Sequence, residues 1–521
     1  MRTAAWGLLL GLFPLLAGAS SVPAQPAEYL PIQSPLYEDI EALAARGYLR
    51  SLPTYSRPLA RVDLAEALLD ARRRSPEAEP DLHVRRLERE LWRELEEIAD
   101  TLSAPHETGP LLDLGQREQR FRVSLAGHLR GDFDETREAA HYRLRDESSV
   151  SARASLQLWP AVGAFEELGI TRIRGQREFI DAIALHTDLE ATVLRGELTA
   201  RVSRLTAALG YDAQRWGPGA RGTLLLSGAQ GPMEFFSLQG STRGRVSVAG
   251  TALTAVISAA DDQYLAAHRI EIGAPRLVIG LAEAARYRSD GVDLLYASGL
   301  LPYTIIERIR IREASNDSLR RTERANVMAS ADVSFRAWPG LTAYGELLVD
   351  DFATESADMP NRIAYQLGLR SERPYGSHFV HLLGEYTRVR NFTYSVEYGE
   401  DYIYRGRSLG FVLGPDVENV FVEAAFDLSA AWQLRWSGDF TNRGEGRLGI
   451  PWVAAQGPVS TAGLSGIVEE RREVWGDARW FPRDNVDVSA GLGYRRLRNE
   501  NNAAGADRNA WLARVAADLR Y

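Results

Sequence analysis

The sequence predicts an all-β transmembrane barrel of about 18 antiparallel strands, preceded by a small α-helical periplasmic domain. Three observations carry that prediction. The first residues read as a secretory signal. The hydrophobic period changes from 3.6 to 2 near residue 117. The long alternating segments beyond that point carry dense Arg, Asp and Glu on the face opposite their apolar one.

Composition bounds the rest. The chain has 521 residues, enough for a large barrel and a small domain. Its formal net charge is -9, and every one of the 61 basic residues is Arg. No basic patch marks a nucleic-acid binder. There is no Cys, which excludes disulfides, a thiolate metal site, a cysteine nucleophile and a lipidated N-terminal Cys. No cofactor is expected.

In chain order, residues 1–24 are expected to be a signal peptide. Arg2 supplies the positive start, "AAWGLLLGLFPLLAGA" the apolar stretch, and small residues allow cleavage after Ala19 or Ala24. Residues 28–104 are expected to form the helical periplasmic domain. Tyr37, Ile40, Leu43 and Ala44 share one helical face that stops at Gly47. Leu64, Ala67 and Leu68 repeat the pattern, and Leu87, Leu91, Leu95 and Ile98 line a third segment read as one helix. Residues 105–116 are expected to be a linker and 117–521 the barrel. There, Phe121, Val123, Leu125 and Leu129 alternate with polar residues. So do Val486, Val488, Ala490, Leu492 and Tyr494, and then Trp511, Val515, Leu519 and Tyr521. Strands of this kind satisfy their backbone groups in lipid only when the sheet closes.

Short turns at "LWPAV" (158–162), "AWPGL" (337–341) and "WFPRDN" (480–485) each place Pro just after an aromatic residue. Pro ends a ladder, and Trp suits the membrane–water girdle. Counting back from a last strand that ends in the periplasm makes 288–322 and 391–417 single long outer loops. The same count places "RWGPGARG" in an outer loop at about 207–231.

Four stretches, in order, resemble the outer-membrane capsule assembly proteins of the Wzi family: "WGPGARGTLLLS" (216–227), "HRIEIGAPRLVIGLAEAARY" (268–287), "NRIAYQLGL" (361–369) and "YRGRSLGFVLGPD" (404–416). The resemblance implies an eighteen-stranded outer-membrane barrel whose outer face binds, retains or helps assemble capsular polysaccharide without catalysis. The helical segment "YEDIEALAARGYL…RPLARVDLAEALL" also looks like part of an S-layer-homology unit. That leaves peptidoglycan and periplasmic assembly proteins both open as its partner. The alternative function is a porin for sugars or small solutes, anchored to the cell wall through the helical domain.

Two loops hold the candidate residues. Gly217–Thr223 approaches a phosphate-loop spacing, but Arg221 precedes Gly222 and Thr223 where Lys is needed, and Pro218 removes a backbone donor. A stiff fold built on Gly217, Pro218, Gly219 and Gly222 is the better reading. Arg215, Trp216 and Arg221 would face either protein carboxylates or a sugar acid. In the second loop, Tyr394, Tyr398, Tyr402 and Tyr404 accompany Arg405 and Arg407. Aromatic faces stack on sugar rings, and guanidinium pairs bidentately with carboxylates. The same residues could pack the loop on itself; a glycan site requires them to cluster at the mouth. His378 and His381 lie on opposite faces of a strand and cannot chelate together, so no metal site is expected. Asp261–Asp262 and Asp350–Asp351 sit at strand ends, and no enzyme motif emerges.

Overall fold

The computed structural model describes residues 28–49, 52–74, 81–99, 110–116, 119–134, 143–159, 161–175, 185–316, 324–351, 359–375, 378–483 and 485–520. The expected signal peptide, residues 105–109 of the expected linker and Tyr521 lie outside them.

Eighteen described strands, each paired to the next, close into one antiparallel barrel. They are β1 Gln119–Asp134, β2 Arg143–Trp159, β3 Val162–Gly175, β4 Leu185–Val202, β5 Leu205–Asp212 and β6 Met233–Ser241. Then come β7 Ser247–Ser258, β8 Gln263–Ala274, β9 Leu277–Arg288, β10 Asn326–Trp338, β11 Leu341–Asp351 and β12 Arg362–Tyr375. The last six are β13 His378–Val389, β14 Val417–Ser429, β15 Trp432–Arg443, β16 Glu469–Arg483, β17 Val486–Arg498 and β18 Arg508–Arg520. β18 closes on β1, from Leu512 opposite Asp134 to Arg520 opposite Ala126. Below that seam Leu112–Gln116, expected within the linker, pairs with β1 as a short extra strand.

The alternation separates two environments. On β8, Arg269 and Glu271 point inward and are buried, while the alternating Ile270 and Ile272 stand exposed. On β12, Arg370 and Gln366 face in while Leu367 and Leu369 face out. Trp159, Trp338, Trp432 and Trp480 end strands at the short turns and are exposed, and Trp432 stacks on Trp480 at 5.9 Å. An apolar wall with an aromatic girdle is what a lipid-facing barrel presents. We call this the turn end and the opposite one the loop end.

The link between β9 and β10, read from the sequence as a loop, contains two helices, α5 Leu294–Ser298 and α6 Tyr303–Asn316. They pack on the outside of the wall over Ala266, Ala285 and Tyr287, with Tyr296, Tyr303 and Ile306 beneath them. The outward carboxylate of Glu283 on β9 accepts the Tyr303 N–H at 2.8 Å, satisfying a helix-start donor.

The N-terminal segment folds as α1 Leu36–Arg46, α2 Arg61–Arg74, α3 Leu82–Glu90 and α4 Trp92–Ala99. Gly47, at φ 89°, ends α1 with a left-handed cap in which its N–H reaches Ala44 O and that of Tyr48 reaches Leu43 O. Ile40, Leu43, Leu64, Leu68, Leu87, Leu91 and Leu95 form the domain's own core. The third segment breaks at Leu91, so one expected helix is two. This domain does not hang below the barrel: it sits inside the turn end.

Candidate functional site

An ionic seam holds the helical plug to the wall. Asp63 on α2 receives Arg201 of β4 at 2.8 Å and Arg243 from the β6–β7 turn at 3.2 Å. Glu41 on α1 receives Arg370 of β12 at 2.8 Å and also pairs with Arg57 of the plug. Glu38 meets Arg435 of β15 at 2.6 Å, Glu28 meets Arg153 of β2 at 2.9 Å, and Glu90 meets Arg520 of β18 at 3.6 Å. The Gly340 N–H between β10 and β11 reaches Ala45 O at 2.9 Å. These contacts circle the barrel. A cleft remains where Arg61, Arg93 and Glu94 of the plug face Arg120, Arg122 and Phe165 of the wall. Burial alone would raise the Glu28 carboxyl, but the guanidinium groups of Arg153, Arg61 and Arg122 hold it at about 2. Glu41 is likewise held below its ordinary range by Arg370 and Arg57 against the effect of burial.

From the loop end, residues 213–232 descend into the lumen and meet the plug. Ser56–Arg57 of the plug and Arg215–Trp216 of the loop form a two-stranded ladder, and the Gly217 N–H reaches Tyr55 O at 2.9 Å. Wall carboxylates receive the loop's backbone. Glu385 accepts the N–H groups of Ala220 and Arg221 at 2.6 and 2.9 Å, and Glu346 accepts that of Leu224 at 2.9 Å. Gly217 has φ 124°, and a Cβ on it would meet Glu346; one on Gly219 would meet Gln366 and Gly222 O. Thr223 Oγ donates to Leu226 O at 2.6 Å, so the phosphate-loop look-alike is a self-bonded turn.

The nine candidate residues part company here. Arg215 donates to the carbonyls of Gly219 and Ala220, and burial, with Arg57 adding to it, pushes its guanidinium down to about 10. Trp216 is 2% exposed. Arg221 pairs with Asp439 of β15 at 2.7 Å. Tyr394 and Tyr402 are 0% exposed and stack on each other at 6.0 Å. The Tyr394 hydroxyl donates to Leu224 O at 2.7 Å, and Asp350 accepts its N–H at 2.7 Å. A ring with no exposed face cannot stack on a sugar, so these five residues bind the protein to itself, and Gly222 packs against Phe411 within the same lock. They do not cluster at the mouth.

What reaches the mouth is smaller. Ile403–Tyr404 and Arg407–Ser408 form a hairpin whose tip, Arg405 and Gly406, has φ of 49° and 76°. Two left-handed residues at the tip give the hairpin turn whose twist suits the flanking strands. Arg405 is exposed and donates to the Tyr211 hydroxyl at 3.0 Å; its guanidinium lies at 5.0 Å over the ring of Tyr404, which is itself 5% exposed and packs in the same buried core as Tyr394 and Tyr402. Arg407, half-buried, holds Ala229 O at 3.4 Å. Tyr398 is 40% exposed and anchored through its hydroxyl to Ala325 O at 3.0 Å. Arg288 stands at the same end, paired to Glu400 at 3.4 Å. Sequence reasoning missed Tyr211 and Arg288, at strand ends; the Arg405–Gly406 dipeptide after the β-prone Ile403–Tyr404 was the available hairpin signal.

Fold, wall and occupied lumen define an outer-membrane β-barrel closed by its own chain. The family model for capsule assembly protein Wzi matches residues 294–512. Over that segment the chain is similar to the Wzi capsule assembly family. The match includes 361–369 and 404–416, while the two earlier stretches that suggested the family precede it. Among solved structures, the chain is similar to Wzi of Escherichia coli with a TM-score of 0.63 at 13% identity, covering 95% of this chain and 99% of that one. That protein is described as an outer-membrane protein involved in group 1 capsule assembly and as a carbohydrate-binding β-barrel. OccAB2 of Acinetobacter baumannii (TM-score 0.44, 9% identity) covers 77% of this chain and 98% of its own. No curated protein sequence matches the chain.

Proposed function

We propose that this barrel binds surface polysaccharide of the capsular type at its loop end, by binding and not by turnover, and retains it at the cell surface. One observation carries the reading: plug and loop meet inside the lumen, so the working surface is the mouth and not a channel. The match to the capsule assembly family model over 294–512 supports it. In this reading the loop end faces outward, and the plug, entering with the chain at the turn end, faces the periplasm, behind a cleaved signal peptide at 1–24.

The contacting residues are Arg405 and Tyr211 at the hairpin tip and Tyr398 on the rim, with the buried Tyr404 supporting Arg405 from beneath. An arginine whose rotamers are already restricted by two tyrosines loses less entropy on pairing with a sugar carboxylate. Arg215, Trp216, Arg221, Tyr394 and Tyr402 support the surface from below.

The test is binding of the folded full-length protein to capsular polysaccharide from its own cell by interferometry, beside planar-bilayer recording. Binding without steady current is the expected result. Steady open-channel steps without glycan binding would establish the porin instead.

A further inference from the structure

A cluster outside the mouth lies in the seam between plug and wall. His83 on α3 is buried, with its ring edge-on to His381 of β13 at a centroid distance of 5.3 Å. Its Nδ1 lies 2.6 Å from Asp39 Oδ1 on α1, and its Nε2 is buried with no hydrogen-bond partner among the described residues. His381 repeats the arrangement: Nδ1 meets Glu372 of β12, and Nε2 lies 2.7 Å from Oδ2 of Asp427 on β14. The other oxygen of Asp427 accepts from Gln433 at 3.1 Å and Arg86 at 3.3 Å. One donor atom from each of His83, His381 and Asp427 lies within 4.8 Å of the others.

We propose that His83, His381 and Asp427 form a site for a divalent transition-metal ion of the zinc class, which pins the helical plug to the barrel wall. Each ligand already has its far atom held: Asp39 orients His83, Glu372 orients His381, and Gln433 with Arg86 orients Asp427. Carboxylates behind ligating imidazoles are the usual outer partners of a metal site, fixing the tautomer and raising ligand basicity. Two imidazoles and one carboxylate, without thiolate, suit zinc, nickel or copper over calcium or magnesium. Three protein ligands leave a fourth position for water. Binding displaces the proton shared between His381 Nε2 and Asp427, which leaves to solvent, so affinity falls in acid. The carboxylates of Asp39, Glu372 and Asp427 outweigh the guanidinium of Arg86, which touches Asp39 and Asp427. No sequence motif announces this site, because its ligands come from residues 83, 381 and 427.

The experiment strips the folded, detergent-solubilised full-length protein with chelator, reloads it with zinc, desalts it and measures bound metal. One zinc per chain is expected, lost in His83→Gln. Asp39→Asn, which touches no metal, weakens zinc binding about 10–100-fold. Zinc raises the unfolding temperature of the wild type and not of His83→Gln. Wild-type protein retaining no more zinc than His83→Gln, or Asp39→Asn binding as tightly as wild type, overturns the site. If His83→Gln fails to fold, cobalt decides on the wild type alone. A visible band from nitrogen- and oxygen-ligated cobalt supports the site, and its absence refutes it.

Discussion

At the turn end, Glu28, Glu38, Glu41, Asp63 and Glu90 of a helical plug meet arginines of the wall around the barrel. At the loop end, Leu224, Leu225, Leu226, Tyr394, Tyr402, Leu409 and Phe411 form a dry core with inward residues such as Met328 and Leu348. Both halves fill the same polar-lined cylinder, yet by different physics. The plug folds around its own core and needs the wall only as a docking surface, so charges that the lumen already carries suffice. The loops have no core of their own. They become rigid only by burying apolar side chains in the lumen and handing their backbone N–H groups to wall carboxylates. A well-packed apolar lock responds to cavities. An ionic seam responds to the removal of one charge and to pH.

The largest expected effect is on the lock. Phe411→Ala, in a side chain 0% exposed against Gly222, removes a buried ring that joins both loops. It is expected to cost roughly 3–5 kcal/mol. Calorimetry should show the lowered Tm, and bilayer recording should show brief openings absent from wild type. A silent, fully stable variant would mean that the two halves do not differ as described.

Next comes the seam. Glu41→Gln leaves Arg57 and Arg370, both nearly buried, without their shared carboxylate. The loss is expected to be about 3 kcal/mol. Limited proteolysis should release the plug while the loop region stays protected, and simultaneous loss of both would merge the halves into one unit.

Acid sharpens the contrast. Glu28, held at about 2, and Glu41, held below its ordinary range, have folded-state values lower than their unfolded ones. Their stabilisation is complete above the ordinary carboxylate value of 4.5 and is lost as pH falls from there towards about 2. Pepsin cleavage within α2 or α3 should therefore rise between pH 5 and pH 3, taken here as roughly the window of carboxylate titration, while protection of 390–416 persists.

The smallest effect lies at the surface. Arg405→Ala should weaken glycan binding about 10-fold, or about 1.4 kcal/mol, with Tm unchanged. Tyr402→Ala should lower Tm first and affect binding only through the loop. Equal effects of the two on binding, with both folds intact, would return Tyr402 to the binding face.

Strand count, parity and wall orientation were legible because a lipid-facing strand writes its environment into every second residue, as Ile270 and Ile272 do in alternation with Arg269 and Glu271. Helix ends were legible where one residue decides, as at Gly47. The roles of the long-loop residues were not. Tyr394 and Tyr402 have the composition of a glycan platform, and nothing local distinguishes a ring facing sugar from one facing Leu224. The helices α5 and α6 were missed because their docking point, Glu283, lies on the preceding strand.

The sequence by itself determined the closed barrel, its apolar wall and the helical character of the N-terminal segment, since each follows from periodicity over neighbouring residues. Tertiary structure alone decided that the helical segment sits in the lumen, that the glycine-rich loop descends to meet it, and that Arg405 rather than Trp216 reaches the mouth. Those outcomes depend on pairs such as Glu41 with Arg370 and Gly217 with Tyr55, far apart in the chain, whose partnership no local pattern encodes.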